Sequence, residues 1–318
     1  RLRVLLMDGR TLDIRRGDAI DFDVPEVPQP PHCRKHNAGY ALKPGMDWID
    51  LFTGAEGTLG IVTEAEVRLL PIPKTLLNGI VFFADEETAF DALDAERAVD
   101  RLRMLEYVDD AALRLISTKF PEIPAQAKAA LIVEQIVESD ADLDAWSDRL
   151  QAQRALEDIS WFGTGDTDRE RFRRFRHALP ETVNDTCRRH GFMKQGSDYS
   201  TPIDRNREMI AYYRAQLDPV LGGKYVIYGH VGDGHPHVNL LPQTQRDFEI
   251  GKELMLDFAK KAVELGGSVA AEHGLGKRKR HLLAVQYAPE HIDAMKAVKR
   301  RLDPHWLLGQ GNLFPLPA

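Results

Sequence analysis

The segment GHVGDGHPHVN carries two histidines on either side of a short glycine-containing turn. His230 ends one predicted strand and His237 begins the next, while Gly232 and Gly234 allow a tight reversal between them. This hairpin brings two imidazoles to the same rim of a sheet. Because neutral imidazole is the commonest nitrogen ligand of zinc and similar ions, the pair predicts part of a metal site.

A second segment, SVAAEHGLGKRK, places a carboxylate next to a histidine. Glu272 is the predicted third ligand, since two histidines and a glutamate with one open position are typical of catalytic zinc. His273 would then face the open position, where a neutral imidazole can accept a proton from a metal-bound hydroxyl. Asn239, two residues beyond His237 on the same strand face, could donate to a substrate carboxylate.

Spacing alone leaves two alternatives open. The chain has 11 histidines, so these residues could be ordinary surface or core side chains, and His-x6-His is no standard metal motif. His235 lies inside the predicted loop and could replace another histidine in the ligand set. The same ligands would also serve a metal-dependent hydrolase that activates water.

The elements that must position these residues fall into two kinds. The chain opens on a predicted hairpin, with strands at residues 2–7 and 11–14 around the turn Asp8-Gly9. A domain seldom begins on a buried hairpin, so we expect a preceding portion. Strands and loops rich in glycine and proline continue to the predicted boundary at Pro71 and Pro73.

Beyond that boundary, strands alternate with amphipathic helices, which predicts a mixed sheet covered on one face. The strands are GIVFF, ALIVEQIV and the two strands of the histidine hairpin. Helices are predicted at residues 86–105, 143–156, 246–265 and from about 289. Residues 166–190 are predicted to be an Arg-rich helix pair interrupted at Pro180.

Composition excludes several classes of protein. A formal charge of −7, with basic residues spread among acidic ones, gives no basic face for nucleic acid. No apolar run has the length of a membrane span, and the first residues lack the pattern of a signal peptide. Only Cys33 and Cys187 are present, which suits a reducing compartment and predicts a cytoplasmic protein.

Four motifs, in this order, resemble the FAD-linked oxidase family. They are NAGY with DLFTGAEGTLGIVTEAEVRLLP, then GHVGDGHPHVN, SVAAEHGLGKRK and DPHWLLGQGNLFP. The family has the vanillyl-alcohol-oxidase type of fold and includes D-lactate dehydrogenase, D-2-hydroxyglutarate dehydrogenase and the flavin subunit of glycolate oxidase. The resemblance covers essentially the whole chain.

The resemblance implies FAD and a divalent metal, zinc or manganese, as cofactors. It implies that His230, His237 and Glu272 hold the metal, that His273 is the base and that Asn239 contacts substrate. The implied FAD contacts are Asn37, Gly39, Tyr40, Gly54, Glu56, Gly57, Thr58, Gly60 and Ile61.

Three positions depart from the family pattern. Arg176 is the best match for the arginine that binds the substrate carboxylate, but Pro180 stands where some relatives have threonine. Lys194 is offset by about two residues from the family's lysine. Gly309 and Gln310 replace the usual Asn-Pro pair of the last motif.

The predicted fold is α+β, the C-terminal part of a vanillyl-alcohol-oxidase-type FAD domain plus a mixed-sheet substrate (cap) domain. Its predicted divisions are residues 1–74 for the second part of the FAD domain, 75–284 for the substrate domain with the metal site, and 285–318 returning to the FAD domain. The family's first flavin half does not precede Arg1, so a fragment without catalytic activity is one alternative, and a second polypeptide supplying that half is another.

The predicted reaction is oxidation of a D-2-hydroxy acid, resembling D-lactate, glycolate or D-2-hydroxyglutarate, to the 2-oxo acid. Electrons would pass to an electron-transfer flavoprotein, a quinone or a cytochrome. A position peripheral to the inner membrane is the alternative to a free cytoplasmic one. A homo-oligomer is expected, and nucleic acid is not a partner.

Overall fold

The structure, a computed structural model, describes residues 1–316. The strands in that range are β1 (Leu2–Leu5), β2 (Thr11–Ile14), β3 (Ile61–Ala65), β4 (Thr75–Phe83), β5 (Leu102–Asp109), β6 (Ala129–Val137), β7 (Trp161–Gly163), β8 (Gln195–Gly196), β9 (Tyr225–His230) and β10 (His235–Leu240). The α-helices are α1 (Trp48–Phe52), α2 (Glu86–Glu96), α3 (Asp110–Ile116), α4 (Asp140–Ala152), α5 (Asp166–Arg189), α6 (Asn206–Leu221), α7 (Gln245–Glu264), α8 (Leu283–Gln286) and α9 (Pro289–Leu302). Short 3₁₀ turns stand at Glu157–Ile159, Ile203–Arg205, Val231–Asp233 and Arg280–Leu282.

The chain forms two compact units. The first unit contains residues 1–70, 198–202 and 259–318, and the second contains residues 71–197 and 203–258. The predicted boundary after residue 74 lies close to the division after residue 70. Residues 259–284, which we predicted with the substrate domain, pack in the first unit. The functions predicted for these domains stay predictions.

The first unit contains a three-stranded antiparallel sheet in the order β2-β1-β3. Leu2 pairs with Ile14 and Leu5 with Thr11, which confirms the predicted hairpin at Asp8-Gly9. Within residues 1–316, β3 has β1 as its one neighbour in the sheet and stands at the edge. All five residues of β3 are exposed.

The second unit is built on a seven-stranded sheet in the order β7-β4-β6-β5-β9-β10-β8. The predicted α+β class is confirmed, and the strand pairings of this sheet are antiparallel rather than mixed. The near-continuous apolar sequences of β4 and β6 are buried because both strands lie in the interior of the sheet. Helices α3 and α5 cover the core formed by Ile80, Phe82, Ile132, Phe175 and Leu179.

One predicted helix is shorter than expected. Helix α2 begins after Asp85, whose side chain accepts from the Thr88 amide, and ends at Glu96. Arg101 adopts a left-handed conformation with φ of 61°, which interrupts the helix. Residues 102–105, predicted to be helical, belong to β5 instead because this strand pairs with β6 and β9.

The predicted helix pair at residues 166–190 is a single helix, α5, with Pro180 inside it. Proline removes one backbone donor and normally kinks or ends a helix. Here Phe172, Phe175, Leu179 and Val183 follow helical spacing on both sides of Pro180 and are buried in the core. Burial of this continuous apolar face outweighs the lost hydrogen bond.

Among residues 1–316, the helices are all too short or too polar to cross a membrane.

Candidate functional site

Strand register puts three histidines on one face of the second unit's sheet. His230 at the end of β9 pairs directly with His235 at the start of β10. Residues that pair across antiparallel strands point to the same face, and so do residues two apart on one strand. His237 therefore joins them, and His235 is the first residue of a strand rather than part of the loop as we predicted.

The three imidazoles lie close enough to share a metal ion. One ligand nitrogen from each ring lies within 4.8 Å of the others. Ring centroids are 5.5 Å apart for His230 and His235, 5.4 Å for His230 and His237, and 4.1 Å for His235 and His237. His235 is buried, whereas the other two rings are partly exposed. The donor set fits a divalent ion that takes nitrogen ligands.

A buried carboxylate orients His230. Nδ1 of His230 lies 2.8 Å from Glu106 on β5, and Arg176 donates to both oxygens of the same carboxylate at 2.8 and 2.7 Å. Burial raises the pKa of Glu106, but the hydrogen bonds from His230 and Arg176 outweigh burial and lower it to about 2. The ionised carboxylate holds Nδ1–H of His230, so Nε2 is the ring nitrogen that could bind a metal ion.

The ring of His237 is held by the backbone. Its Nδ1 lies 3.0 Å from the Ser197 carbonyl oxygen, so Nε2 is again the ring nitrogen that could bind a metal ion. A Cβ atom on Gly229 would lie 2.5 Å from the His237 ring, so this position requires glycine. A larger residue at position 229 would collide with the His237 ring.

Two predicted substrate-binding residues come together at Gly196 on β8. A Cβ atom there would lie 2.7 Å from the Asn239 amide oxygen and 3.0 Å from Cε of Lys194. Asn239 is buried, and within the described residues its Nδ2 has no hydrogen-bond acceptor. A buried amide donor without an acceptor is costly, which suits a group that binds a ligand oxygen. Arg176, the third predicted residue, is bound to Glu106.

In the first unit, a buried aspartate holds the segment that carries Glu272 and His273. Asp198 accepts from the His273 amide at 2.9 Å, and its own carbonyl accepts from Ala271 at 2.7 Å. The His273 side chain is 68% exposed, and its Nε2 lies 3.8 Å from the Asp198 carboxylate. The backbone is thus fixed while the imidazole projects outward, as a base that meets a ligand requires.

Glu272 lies beside Lys35 and beside Asn37, one of the predicted flavin contacts. Its carboxylate accepts from Lys35, and its carbonyl accepts from Nδ2 of Asn37 at 2.9 Å. The backbone N–H of Asn37 also donates to the Ala270 carbonyl oxygen at 2.7 Å. Asn37 therefore ties its own segment to the backbone just before His273.

Glu56 binds the glycines after His273. Its carboxylate accepts from the amides of Leu275 and Gly276 at 2.7 and 2.6 Å, and burial raises its pKa. Next to it, Gly57 is exposed with φ of 69° and open space where a Cβ would stand. That backbone is accessible to a flat ligand such as a flavin ring, so the segment fits the implied cofactor.

The other predicted flavin contacts are packed in the structure. Tyr40 and Thr58 are buried and hydrogen-bonded to each other at 2.5 Å. A side chain at Gly39 would collide with Met295, one at Gly60 with Val4 and one at Gly54 with Asn37. Ile61 is half exposed on β3. Their roles as flavin contacts stay predictions.

Sequence reasoning missed Glu106 and Asp198 and set His235 aside. Glu106 had a visible signal, a carboxylate between the apolar residues Leu105 and Tyr107 of the strand LRMLEYVD. Buried carboxylates need partners, so such a residue predicts a nearby cation or donor. Asp198 had no such signal, because the amides it binds lie more than 70 residues away in sequence.

Comparison with known proteins identifies the family. The C-terminal domain of FAD linked oxidases matches residues 72–313. The chain therefore belongs to the FAD-linked oxidase family.

Curated relatives agree with this assignment. Glycolate oxidase subunit GlcD of Bacillus subtilis is 31% identical over 288 residues, covering 86% of this chain and 58% of its own length. The mitochondrial D-2-hydroxyglutarate dehydrogenase of Bos taurus is 29% identical, over 90% of this chain and 51% of its own length. The probable D-lactate dehydrogenase of Danio rerio is 27% identical, with shares of 88% and 58%. This chain thus spans between half and three fifths of these relatives.

Solved structures share the fold. p-Cresol methylhydroxylase with substrate bound has a TM-score of 0.64 at 14% identity, with 98% of this chain and 64% of that chain covered. Alkyldihydroxyacetonephosphate synthase has a TM-score of 0.58 at 16% identity, with shares of 99% and 52%. These similarities support the vanillyl-alcohol-oxidase type of fold.

Proposed function

We propose that this chain is the metal- and substrate-binding part of an FAD-linked dehydrogenase that oxidises a D-2-hydroxy acid to the 2-oxo acid. The observation that carries the proposal is the imidazole face of β9 and β10 in a chain of the FAD-linked oxidase family. The named relatives act on glycolate, D-2-hydroxyglutarate and D-lactate. A small 2-hydroxy acid is the substrate class that they share.

His230 and His237 are the proposed metal ligands, with Glu272 as the ligand that the family resemblance adds. Bound FAD would accept a hydride, and a bound zinc or manganese ion would act as a Lewis acid. Nε2 of His273 would take the proton of the substrate hydroxyl. Asn239 would donate its Nδ2–H to the substrate carboxylate, with Arg176 and Lys194 as the proposed cationic groups for the same carboxylate.

Family membership disfavours the alternative of a metal-dependent hydrolase, which has no use for a flavin segment. The electron acceptor, an electron-transfer flavoprotein, quinone or cytochrome, belongs to the proposal, as do homo-oligomerisation and a cytoplasmic location.

Anaerobic mixing with 2-hydroxy acids tests the reaction. The FAD-loaded protein is mixed with D- and L-lactate, glycolate and D- and L-2-hydroxyglutarate, and flavin absorbance is followed. We expect bleaching by glycolate or one D-acid, and none by the L-acids. Ester or amide hydrolysis without bleaching would overturn the proposal in favour of the hydrolase.

His273→Ala examines the base directly. Loss of general base catalysis typically costs about 10²–10⁴-fold in rate, so flavin reduction should slow by that factor while metal content is unchanged. His305→Ala, an exposed histidine of the same unit, is the control. Undiminished reduction in His273→Ala would remove this residue as the base.

We further propose that β3 receives the polypeptide that completes the flavin site. That occupant corresponds to the portion of the relatives outside the matched region, about 42–49% of their length. The exposed edge of β3 can pair with an added strand. Ile61, Val62, Val67, Leu69 and Leu70 expose apolar side chains on and after this strand, and such a patch marks an interaction surface.

Hydrogen exchange measured with and without the unmatched portion of the Bacillus subtilis relative as a separate polypeptide tests this surface. We expect slower exchange at the β3 amides and recovery of FAD binding in the mixture. FAD binding without protection of β3 would overturn the assigned surface, and protection by a second copy of this chain alone would assign it to a homodimer instead.

A further inference from the structure

The cluster contains one more imidazole than the proposed ligand set uses. His235 is buried and faces both His230 and His237, with its ring 4.1 Å from that of His237. A metal ion bound by two of these rings would lie beside the third. We propose that His235 is a ligand of the divalent ion, so that β9 and β10 alone supply a three-imidazole site.

The backbone supports this assignment. His230 and His235 are a directly paired couple across two adjacent strands, and His237 follows two residues later on the same face. The hairpin loop is fixed from outside, because Asn206 donates to the Val231 carbonyl at 2.8 Å. A Cβ on Gly232 would lie 2.8 Å from the Leu105 carbonyl, which shows how closely the loop approaches β5. The three rings are therefore presented by a rigid element, as a metal site requires.

The distances are compatible with ligation after a small contraction. Metal–nitrogen bonds of about 2.0–2.1 Å separate tetrahedral ligand atoms by about 3.3 Å. Ligand nitrogens within 4.8 Å of one another need to close by about 1.5 Å at most. Rotation of imidazoles about their side-chain torsions covers this difference without moving the strands.

The three histidines and the groups that hold their rings all belong to the second unit. Glu106 holds His230 and the Ser197 carbonyl holds His237, and both belong to the second unit with the three histidines. The second unit's own residues would then retain the ion when Glu272 is replaced. A site with only two imidazoles would lose most of its affinity in that variant.

Metal titration of the full chain tests the inference. Zn²⁺ affinity and the visible spectrum of bound Co²⁺ are measured for the original chain, His235→Asn, His235→Phe and Glu272→Gln, with exposed His177→Asn of the same unit as control. We expect at least a 10–100-fold weaker Zn²⁺ affinity and an altered Co²⁺ spectrum in both His235 variants. His177→Asn should match the original chain, and Glu272→Gln should keep a 1:1 ion.

X-ray absorption of the Zn²⁺-loaded original chain gives an answer that does not depend on a variant's folding. Scattering from three imidazoles supports the inference, and scattering from two overturns it. Unchanged affinity and spectrum in a folded His235 variant also overturn it. The inference rests on the metal part of the proposed function, and flavin bleaching by substrate tests the redox part separately. Scattering from two imidazoles together with normal flavin bleaching by substrate would overturn this inference and leave the proposed reaction intact.

Discussion

The two sheets of this protein differ in how completely the chain covers them. In the second unit, β4 and β6 lie inside a seven-stranded sheet and are almost fully buried. In the first unit, β3 is an edge strand with every residue exposed, and the apolar residues after it are 72% to 82% exposed at Val67 and Leu69. The second unit thus covers the interior strands of its own sheet, whereas the first unit leaves an edge strand and the apolar residues after it exposed.

Buried apolar residues contribute to both units. The second unit relies on a large apolar core. In the first unit, the predicted flavin segment is also held by polar links, the part-buried Glu56 to the amides of residues 275 and 276 and the buried Lys299 to the Thr58 carbonyl. Buried polar links are costly to break, because they leave an unpaired group out of contact with water. Four predictions test this contrast, from the largest effect to the smallest.

Lys299→Met should cause the largest loss of stability. Lys299 is 2% exposed, pairs with Asp303 at 0% exposure, and donates to the Thr58 and Leu308 carbonyls. Removing one partner of a buried pair costs about 3–5 kcal/mol, because the other charge stays buried. Urea unfolding measures the change in the free energy of unfolding.

Lys296→Met on the same helix is the control for this substitution. Lys296 pairs with exposed Asp293, an interaction within one helix that is worth about 0.3–0.5 kcal/mol. Equal losses in the two variants would show that the buried link does not hold the flavin segment. FAD affinity of the completed protein should fall only in Lys299→Met.

Much of the fold is visible in the sequence because its signals are local. Asp8-Gly9 predicts the first hairpin, and the Gly-Asp-Gly loop in KYVIYGHVGDGHPHVNLLP predicts the two strands β9 and β10 around it. The prediction that residues 102–105 are helical was wrong because their apolar side chains also fit a helix. Their strand conformation comes from pairing of β5 with β6 and β9. The predicted interruption at Pro180 was wrong for the opposite reason. Proline is a local signal that ends helices, and here the packing of α5 in the core outweighs it.

The candidate site is less visible because its supports are long-range. The histidines were visible as residue types, but the register that aligns His235 with His230 depends on how β9 meets β10. Glu106 reaches His230 across more than 120 residues of sequence. No local pattern reports which strands become neighbours, so the groups that orient a site are harder to predict than its ligands.

Glu106→Gln should weaken metal binding in the second unit. The amide cannot keep the charge that fixes Nδ1–H of His230, and loss of such an outer partner typically costs about 10–100-fold in metal affinity. Glu134→Gln on neighbouring β6, a residue paired with Arg103, is the matched control. Calorimetric titration with Zn²⁺ measures both, and equal affinities would mean that Glu106 serves Arg176 rather than the metal site.

One buried group in each unit, His36 in the first and Asp109 in the second, should make opposite contributions to the pH dependence of stability. In the first unit, burial lowers the pKa of His36 to about 4 from 6.5, so its unfolded form binds more protons and stability falls as pH drops from 6.5 to 4. In the second, burial raises the pKa of Asp109 from 3.8 to about 7. Its folded form binds more protons, so stability falls as pH rises from 4 to 7. Each slope is at most about 1.4 kcal/mol per pH unit.

Unfolding curves of His36→Gln and Asp109→Asn across this range separate the two contributions. His36→Gln should lose less stability than the original chain on acidification, because its side chain does not titrate. Asp109→Asn should lose less on going from pH 4 to 7. Slopes that match the original chain in either variant would assign the pH dependence to other groups.

Substitutions on the exposed surface after β3 should have the smallest effect on stability. They should nevertheless weaken binding of the completing polypeptide. Leu69→Ser with Leu70→Ser removes two side chains that are each 82% exposed. Surface substitutions of this kind usually change the free energy of unfolding by no more than about 0.5 kcal/mol. Calorimetric titration should show that the completing polypeptide binds more weakly to this variant than to the original chain. Leu307→Ser, at a 54% exposed leucine outside the patch, controls for general surface polarity. If unfolding free energy fell by several kcal/mol instead, these leucines would be part of the first unit's core, and the contrast between a covered and an uncovered sheet would fail.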